Sequence, residues 1–310
     1  MIGCLRAQPG KEGNMEYKKF KKEIRERMQE KLGAGTEISF RDLERNNGVK
    51  EEGMEVREKG SAAAPVLHLD ELYKGYCESG SMEDTVSRAL KLLGEKPAVP
   101  IEAVPKTWEA ARGRIRAELV HYDWNRKTLK SIPHRKFLNL AVTYRVVLPE
   151  SGGYQAGIRV NNSLMELWGA TEERLYREAM ENLEKEAYNI QPIAELLAGM
   201  AGIPTGAMPG LPEEVTKQHV LSNGNCCYGA AGMLRQDLME GFAEQAGGSF
   251  YILPSSIHDL ILLPDDDSVS AECLKEMVKE VNKSTVAREE WLSEDVYYYD
   301  CETREVKIGE

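Results

Sequence analysis

The side chains best suited to catalysis are a cysteine, a histidine and an aspartate in two separate segments. Cys227 stands in a glycine-rich stretch, and His258 and Asp259 are adjacent between two apolar runs. A thiol, an imidazole and an orienting carboxylate are the smallest set that activates a cysteine nucleophile. Their separation along the chain neither supports nor forbids contact. Cys227, His258 and Asp259 are therefore the candidate catalytic residues of a hydrolase-like enzyme.

Polar side chains in the same two segments form a second set of candidates. The connection Pro254–Asp259 joins two apolar runs, and its serines either satisfy the amides of a turn or line a ligand site. The stretch Gly224–Gly232 lacks the phosphate-binding patterns G-x-x-x-x-G-K-[ST] and G-x-G-x-x-G, so close backbone packing is favoured over nucleotide binding. The ligand-binding candidates are Ser255, Ser256, Tyr228 and Asn223.

No pattern of metal ligands is visible in the sequence. The five histidines lie far apart, no two of them are four residues apart, and no C-x-x-C pair occurs. The acidic run Asp265–Asp267 lacks the glycine that a calcium loop needs at its sixth position, where Ser270 stands. We interpret this run as a solvated turn and predict no metal and no cofactor.

The charge balance argues against polyanionic partners. The chain of 310 residues has 40 Lys and Arg against 51 Asp and Glu, which gives a formal net charge of −11. Acidic residues flank Tyr297–Tyr299, whereas aromatic stacking on single-stranded nucleic acid needs basic neighbours. No apolar run approaches the ~18 residues that cross a bilayer. We expect neither nucleic acid nor membrane as a partner, but a protein or a small molecule.

The cysteines predict a reducing environment. Six cysteines are scattered through the chain, and no apolar segment near the start has the length of an export signal. Disulfides persist mainly in oxidising compartments. We therefore expect a cytoplasmic protein with reduced thiols.

The first half of the chain predicts two units that combine strands with helices. Residues 1–14 show no periodicity and are predicted to be a disordered extension. Unit 15–95 begins with an amphipathic helix from Tyr17 to Leu32, and Ser81 is placed to cap a later helix. A proline-rich linker is predicted at 96–105, and unit 106–190 follows it. This unit is predicted to begin with a helix that has Trp108, Ala111, Ile115 and Leu119 on the same side. One strand over Phe137–Leu148, a turn at 150–153 and a second strand over Gln155–Val160 come next, and then helices capped by Asn161 or Asn162 and by Thr171.

The C-terminal part repeats the pattern. Ile190–Pro212 is rich in glycine and proline and is predicted to be a flexible surface passage. Unit 213–310 then has two apolar strands at Phe250–Leu253 and Leu260–Leu263, and a helix that starts near Cys273. The fold class is α+β, with antiparallel strand pairs alternating with helices that cover the sheet faces. The central and C-terminal units can also form one domain.

Several segments resemble a known family. They are Met15–Phe20, Leu221–Asn223 with Tyr228–Ala231, Met277–Asn282, Leu292–Tyr297, and above all Phe250–Pro264, FYILPSSIHDLILLP. They are similar to the family called domain of unknown function 5688, which is found in gut-dwelling clostridial bacteria. The likeness covers residues 15–310 and implies that the fold starts at Met15, but it implies no reaction, cofactor or partner. The family segments hold no cysteine before the Tyr-Gly-Ala motif, which argues against a catalytic Cys227.

The functional interpretation follows from these patterns together. The sequence favours a non-catalytic binding or regulatory protein. The alternative is the hydrolase-like enzyme that uses Cys227, His258 and Asp259.

Overall fold

A computed structural model describes residues 15–58, 64–95, 103–148, 157–202 and 212–309. The chain divides into two compact units. The first holds Met1–Arg45, Val49–Val104 and Leu148–Ala156, and the second holds Asn46–Gly48, Pro105–Val147 and Gly157–Glu310. The predicted extension at 1–14 and the predicted turn at 150–153 lie outside the described residues. The division into units 15–95, 106–190 and 213–310 stays a prediction.

The first unit is a three-stranded antiparallel sheet with helices packed on it. Its sheet has the order β1–β2–β3. The first helix buries Phe20, Ile24 and Met28 in the core of this unit, as its apolar stripe predicts. The Ser81 hydroxyl accepts a hydrogen bond from the backbone N–H of Asp84 at 3.1 Å, which confirms the predicted cap. The elements are α1 (Tyr17–Leu32), β1 (Thr36–Glu44), β2 (Lys50–Glu58), β3 (Val66–His68), α2 (Leu69–Ser79) and α3 (Met82–Glu95).

The second unit contains two further antiparallel sheets. One has the order β4–β6–β5, with β7 also paired to β6, and the other has the order β13–β12–β10–β11–β9–β8. The elements are α4 (Trp108–Ala111), β4 (Ile115–His121), α5 (Arg126–Leu129), β5 (His134–Phe137), β6 (Leu140–Val147), β7 (Gly157–Arg159), α6 (Asn162–Leu167), α7 (Glu172–Lys185), β8 (Tyr188–Pro192), α8 (Ile193–Ala201), α9 (Glu213–Thr216), β9 (His219–Asn223), α10 (Gln236–Ala246), β10 (Phe250–Pro254), β11 (Leu260–Pro264), α11 (Ala271–Thr285), β12 (Tyr297–Asp300) and β13 (Glu305–Ile308).

The α+β class is confirmed, and so are the local helix starts. Three antiparallel sheets alternate with helices along the chain. Asn161 caps α6 by accepting the N–H of Leu164, and Thr171 caps α7 by accepting the N–H of Arg174. Such caps depend on neighbouring residues alone, which is why the sequence predicts them.

The prediction of a helix through Ile115 and Leu119 is wrong. Helix α4 ends at Ala111, and the segment IRAELVH forms β4. Ile115, Ala117 and Leu119 fit a strand period as well as a helical one, so the local pattern is ambiguous. Pairing with β6 decides the outcome, because it satisfies the backbone hydrogen bonds of a segment that is buried at every position except Arg116, which is partly buried.

Two other predictions need correction. The single strand over Phe137–Leu148 is two strands, because the chain turns at Leu138, whose φ is +54°, and Phe137 pairs with Leu140. The flexible passage at 190–212 is instead the end of β8 followed by α8, as far as residue 202. Pro192 directly precedes α8, a position where its missing N–H does no harm. Residues 203–211 lie outside the described chain.

The sheet around β6 has one apolar face and one polar face. Leu140, Val142, Tyr144 and Val146 are fully buried on the face that contributes to the main core together with residues of α7. Strand register puts alternate residues on the other face, and these are largely charged or polar: Arg116, Glu118, Thr143, Arg145 and Arg159. The polar face therefore carries the side chains from which the candidate site is built.

Candidate functional site

Three arginines stand in one row across the polar face. Arg116 of β4 pairs with Arg145 of β6, and Arg145 pairs with Arg159 of β7. Directly opposite residues have Cβ atoms roughly 5 Å apart, and like charges at such positions destabilise a sheet. The row therefore needs compensating negative charge.

Two carboxylates compensate part of this charge. Glu186 Oε1 lies 2.5 Å from Arg116 Nε, and Glu118 Oε1 pairs with Arg145 Nε. Arg159 is partly buried, and in the part of the chain that the structure describes its side chain forms no ion pair and no hydrogen bond. The row thus holds three guanidinium groups and two carboxylates. One positive charge of the row has no counter-charge among the described residues.

Glu118 is the most deeply buried charge at this face. Only 1 % of its side chain is exposed, and its second oxygen, Oε2, has no hydrogen-bond partner among the described residues. Burying an ionised carboxylate is costly unless it is paired. Arg145 supplies that pairing, so Glu118 and Arg145 hold each other in place.

Tyr228 covers the guanidinium of Arg145. The guanidinium carbon lies 4.0 Å from the centroid of the Tyr228 ring, a cation–π contact. Burial raises the pKa of Tyr228, and the charge of Glu118 raises it further, while Arg145 and Arg159 oppose the shift. The hydroxyl group therefore stays protonated at neutral pH and can donate a hydrogen bond.

The loop that carries Tyr228 has a strained backbone. Cys226 and Tyr228 have φ values of +48° and +58°, in the left-handed region that side chains with a Cβ rarely adopt. Asn223 clamps the loop, because its side chain accepts the N–H of Cys227 at 3.0 Å and donates to the Cys227 carbonyl at 2.8 Å. Asn223, a predicted ligand residue, thus acts within the loop itself.

Gly229 and Gly232 pack tightly against neighbouring segments. A Cβ on Gly229 would lie 2.5 Å from the His258 carbonyl oxygen, and one on Gly232 would lie 2.6 Å from the Tyr188 ring. The glycine-rich stretch therefore serves close packing here. This packing fixes Tyr228 relative to His258.

His258 is tied to Tyr228 and not to Cys227. The backbone N–H of Tyr228 donates to His258 Nδ1 at 3.0 Å, which requires an unprotonated Nδ1 and leaves the ring proton on Nε2. His258 Nε2 lies 3.9 Å from Glu290 Oε1. Among the described residues the structure gives no hydrogen bond between His258 and Cys227, or between His258 and the Asp259 carboxylate. The three candidate catalytic side chains are therefore not joined into a hydrogen-bonded triad.

The two serines next to His258 lie in a self-contained turn. The Ser256 hydroxyl accepts the N–H of His258 at 2.9 Å, and the Ser256 N–H donates to the Asp259 carbonyl at 3.1 Å. Ser256 is buried and Ser255 is partly buried. The structure thus brings Tyr228, His258 and Ser256 together, while Ser255 forms no hydrogen bond with any described residue.

Cys227 is the residue that would have to be a nucleophile in the enzyme hypothesis. Burial raises the pKa of its thiol, the charges of Glu118 and Cys226 raise it further, and Arg145 alone acts in the opposite sense. A raised pKa lowers the thiolate fraction at neutral pH, and the thiolate is the reactive form.

We expect Cys227 to react slowly with thiol reagents at neutral pH. The measurement is the alkylation rate against pH in a Cys226→Ser variant, with the Cys227 peptide followed by mass spectrometry. Because its pKa is raised, the midpoint of the rate profile lies above that of a free-cysteine peptide measured alongside. A midpoint below that of the free peptide contradicts this expectation and supports the nucleophile.

Arg116, Arg145, Arg159 and Glu118 were not among the residues predicted from the sequence. Each is a charged residue inside a β-prone run, as in IRAELVH and LAVTYRVV, and that is the available signal. Their alignment depends on strand register between distant segments, which no local pattern contains. In the described ranges, no group of three His, Cys, Asp or Glu side chains could hold a metal ion, and no helix is long and apolar enough to span a bilayer.

Comparison with known sequences agrees with the resemblance seen in the FYILPSSIHDLILLP run. The profile of one family matches residues 17–301. The chain belongs to the family of unknown function DUF5688. No curated protein and no solved structure matches it. Membership in DUF5688 therefore confirms the predicted family and supplies no reaction or ligand, so a function has to be argued from the arginine row.

Proposed function

We propose that this DUF5688 protein is a non-catalytic binding module whose second unit holds a small oxyanionic ligand, carrying phosphate or carboxylate, at the arginine row. The observation that carries the proposal is Arg159, which stands beside two other arginines without a counter-charge in the described chain. A ligand anion supplies the missing negative charge and relieves the like-charge repulsion in the row.

The neighbours of Arg159 support an anion at this position. The guanidinium of Arg145 is held by two contacts: Glu118 pairs with its Nε, and the Tyr228 ring covers one of its faces. Its terminal nitrogens have no acceptor among the described residues. A guanidinium held in this way can donate two parallel hydrogen bonds to a phosphate or a carboxylate. The nearest carboxylates, Glu118 and Glu186, already pair with Arg145 and Arg116.

The same geometry favours binding over catalysis. His258 Nδ1 is used by the Tyr228 backbone, and Glu118 is buried against Arg145. Neither group is therefore free to take a proton from a substrate, which a general base must do. The hydrolase-like alternative needs a nucleophile and a base in contact, and no such contact supports it.

The test is anion binding by the wild-type protein and by Arg159→Gln. Inorganic phosphate and citrate are titrated by calorimetry at low ionic strength, because salt screens exposed charges. We expect Arg159→Gln to weaken binding by at least about tenfold, since hydrogen bonds to charged groups contribute about 1.5–3 kcal/mol. Arg159→Gln should also leave stability unchanged or raise it by roughly 0.5 kcal/mol, because it removes a like-charge pair.

A matched control separates this site from general charge effects. Arg126→Gln also removes one positive charge from the second unit, at a side chain that is 70 % exposed and paired with Asp123. We expect it to bind both anions as the wild type does. If neither anion binds the wild type, or if both variants lose affinity equally, the proposal is wrong.

A further inference from the structure

A second arginine that forms no ion pair with any described residue lies against two tryptophans. The guanidinium carbon of Arg288 is 4.0 Å from the Trp124 ring centroid and 4.3 Å from the Trp291 ring centroid. The two indole centroids are 6.2 Å apart and their planes meet at 63°. Arg288 thus occupies a corner between two aromatic walls, which we call the arginine–tryptophan corner, formed by Trp124, Arg288 and Trp291.

Hydrogen bonds hold the backbone of this corner in place. The side-chain amide of Asn47, which belongs to the same compact unit, donates to the carbonyls of Arg288 at 2.8 Å and Trp291 at 2.7 Å. The indole N–H of Trp291 donates to the Val286 carbonyl at 2.9 Å. The corner is therefore a fixed arrangement of the fold and not a chance contact of long side chains.

Two of the three donor groups of the corner have no acceptor among the described residues. Within the described ranges, the Arg288 guanidinium and the indole N–H of Trp124 form no hydrogen bond, and Arg288 forms no ion pair. Burial lowers the pKa of Arg288, while the charge of Glu294 opposes the shift. A partly desolvated guanidinium without an acceptor is costly, and cation–π contact offsets only part of that cost.

His121 completes the stack without adding charge. Its ring lies 3.8 Å from that of Trp124, nearly parallel. The backbone N–H of Trp124 donates to His121 Nδ1 at 3.3 Å, and burial lowers the pKa of His121, so the imidazole is neutral at pH 7. Arg288 is therefore the single cation whose charged group lies against these rings among the described residues.

We infer that the arginine–tryptophan corner binds a carboxylate through the Arg288 guanidinium, beside the two indole rings. One guanidinium matches one singly charged, planar carboxylate through two parallel N–H donors. A phosphate dianion would need a second cation beside Arg288, and no other charged group lies against these rings among the described residues. The carboxylate belongs either to the C-terminus of a peptide or to a free organic acid, and both present the same chemistry.

The experiment uses the full chain with ¹⁵N-labelled tryptophan and follows the indole N–H signals by NMR. The chain has four tryptophans, and Trp108 and Trp168 are buried, so they serve as internal references. The probes are a tetrapeptide ending in phenylalanine with a free carboxylate, the same peptide amidated, and N-acetylphenylalanine. We expect the two carboxylates to shift the signals of Trp124 and Trp291, and the amide to shift neither.

Variants make the result decisive. Arg288→Gln should weaken carboxylate binding by about tenfold or more. Unchanged Trp108 and Trp168 signals show that this variant is folded. Arg304→Gln, which removes an arginine that is 70 % exposed, should bind as the wild type does.

The inference fails if the wild type shows no shifts with either carboxylate, if the amidated peptide shifts the signals equally, or if Arg288→Gln keeps full affinity. Comparing the two carboxylates identifies the source, because a peptide site binds the tetrapeptide more tightly.

Discussion

Glu118→Ala is expected to destabilise the second unit by about 3–5 kcal/mol, the usual effect of breaking a buried ion pair by removing one partner. The Glu118 side chain is 1 % exposed and that of Arg145 is 22 % exposed, so water does little to replace the lost carboxylate. Arg145 would also stand beside Arg116 and Arg159 without its counter-charge. The measurement is urea unfolding followed by circular dichroism.

The control for Glu118→Ala is an exposed ion pair of the same type. Glu173 is 73 % exposed and pairs with Arg135 at 2.5 Å. Glu173→Ala should lower the free energy of unfolding by less than about 1 kcal/mol, because surface pairs contribute little. An equally small loss in Glu118→Ala would mean that the pair does not stabilise the fold.

A double variant shows where the loss originates. If the damage comes from the unpaired charge of Arg145, adding Arg145→Met to Glu118→Ala should restore part of the stability, because both charges are then absent. Additive losses would point instead to packing around the Glu118 side chain.

Gly229→Ala is expected to cost about 3 kcal/mol, at the upper end of what overpacking does. The new Cβ would lie 2.5 Å from the His258 carbonyl oxygen and 2.8 Å from the Asn223 amide nitrogen. Asn223 is the last residue of β9 and His258 lies in the turn between β10 and β11, so neither backbone atom can move without disturbing the six-stranded sheet. Thermal unfolding measures the effect, and the hydrogen bond from Tyr228 to His258 should be weakened as well.

Gly224→Ala is the matched control in the same loop. There the nearest atom, the Ala187 carbonyl oxygen, would be 3.8 Å from the new Cβ, an ordinary contact. We expect a change within about 0.5 kcal/mol, as for surface substitutions away from special features. Equal losses in the two variants would contradict the close packing at Gly229.

Sequence patterns predict the fold best where neighbouring residues decide the structure. Ser81, Asn161 and Thr171 cap helices because each needs only the amides of its own first turn. The strands β10 and β11 follow from their continuous apolar runs on either side of a polar turn. The prediction fails for the segment of β4, because its residues fit both a helical and a strand period and only pairing with β6 distinguishes the two.

The candidate site is only partly visible in the sequence. Tyr228 and Asn223 stand next to a glycine-rich stretch, a pattern that marks a tightly packed loop, and the structure places Tyr228 on Arg145. Arg116, Arg145 and Arg159 come from three strands and meet only through register. The distance between Cys227 and His258 depends on the conformation of the loop that carries Cys227. Two residues of this loop, Cys226 and Tyr228, have positive φ values, which backbone propensities do not predict.

If the arginine row binds an anion as proposed, its uncompensated charge links the lifetime of the protein to the supply of that anion. A group that binds only the folded chain shifts the folding equilibrium by mass action, and an anion at this row would also reduce the repulsion between its arginines. Proteases in the cell degrade chains in proportion to the opened population. Cellular abundance should therefore rise when the anion is plentiful and fall when it is scarce, without any change in synthesis.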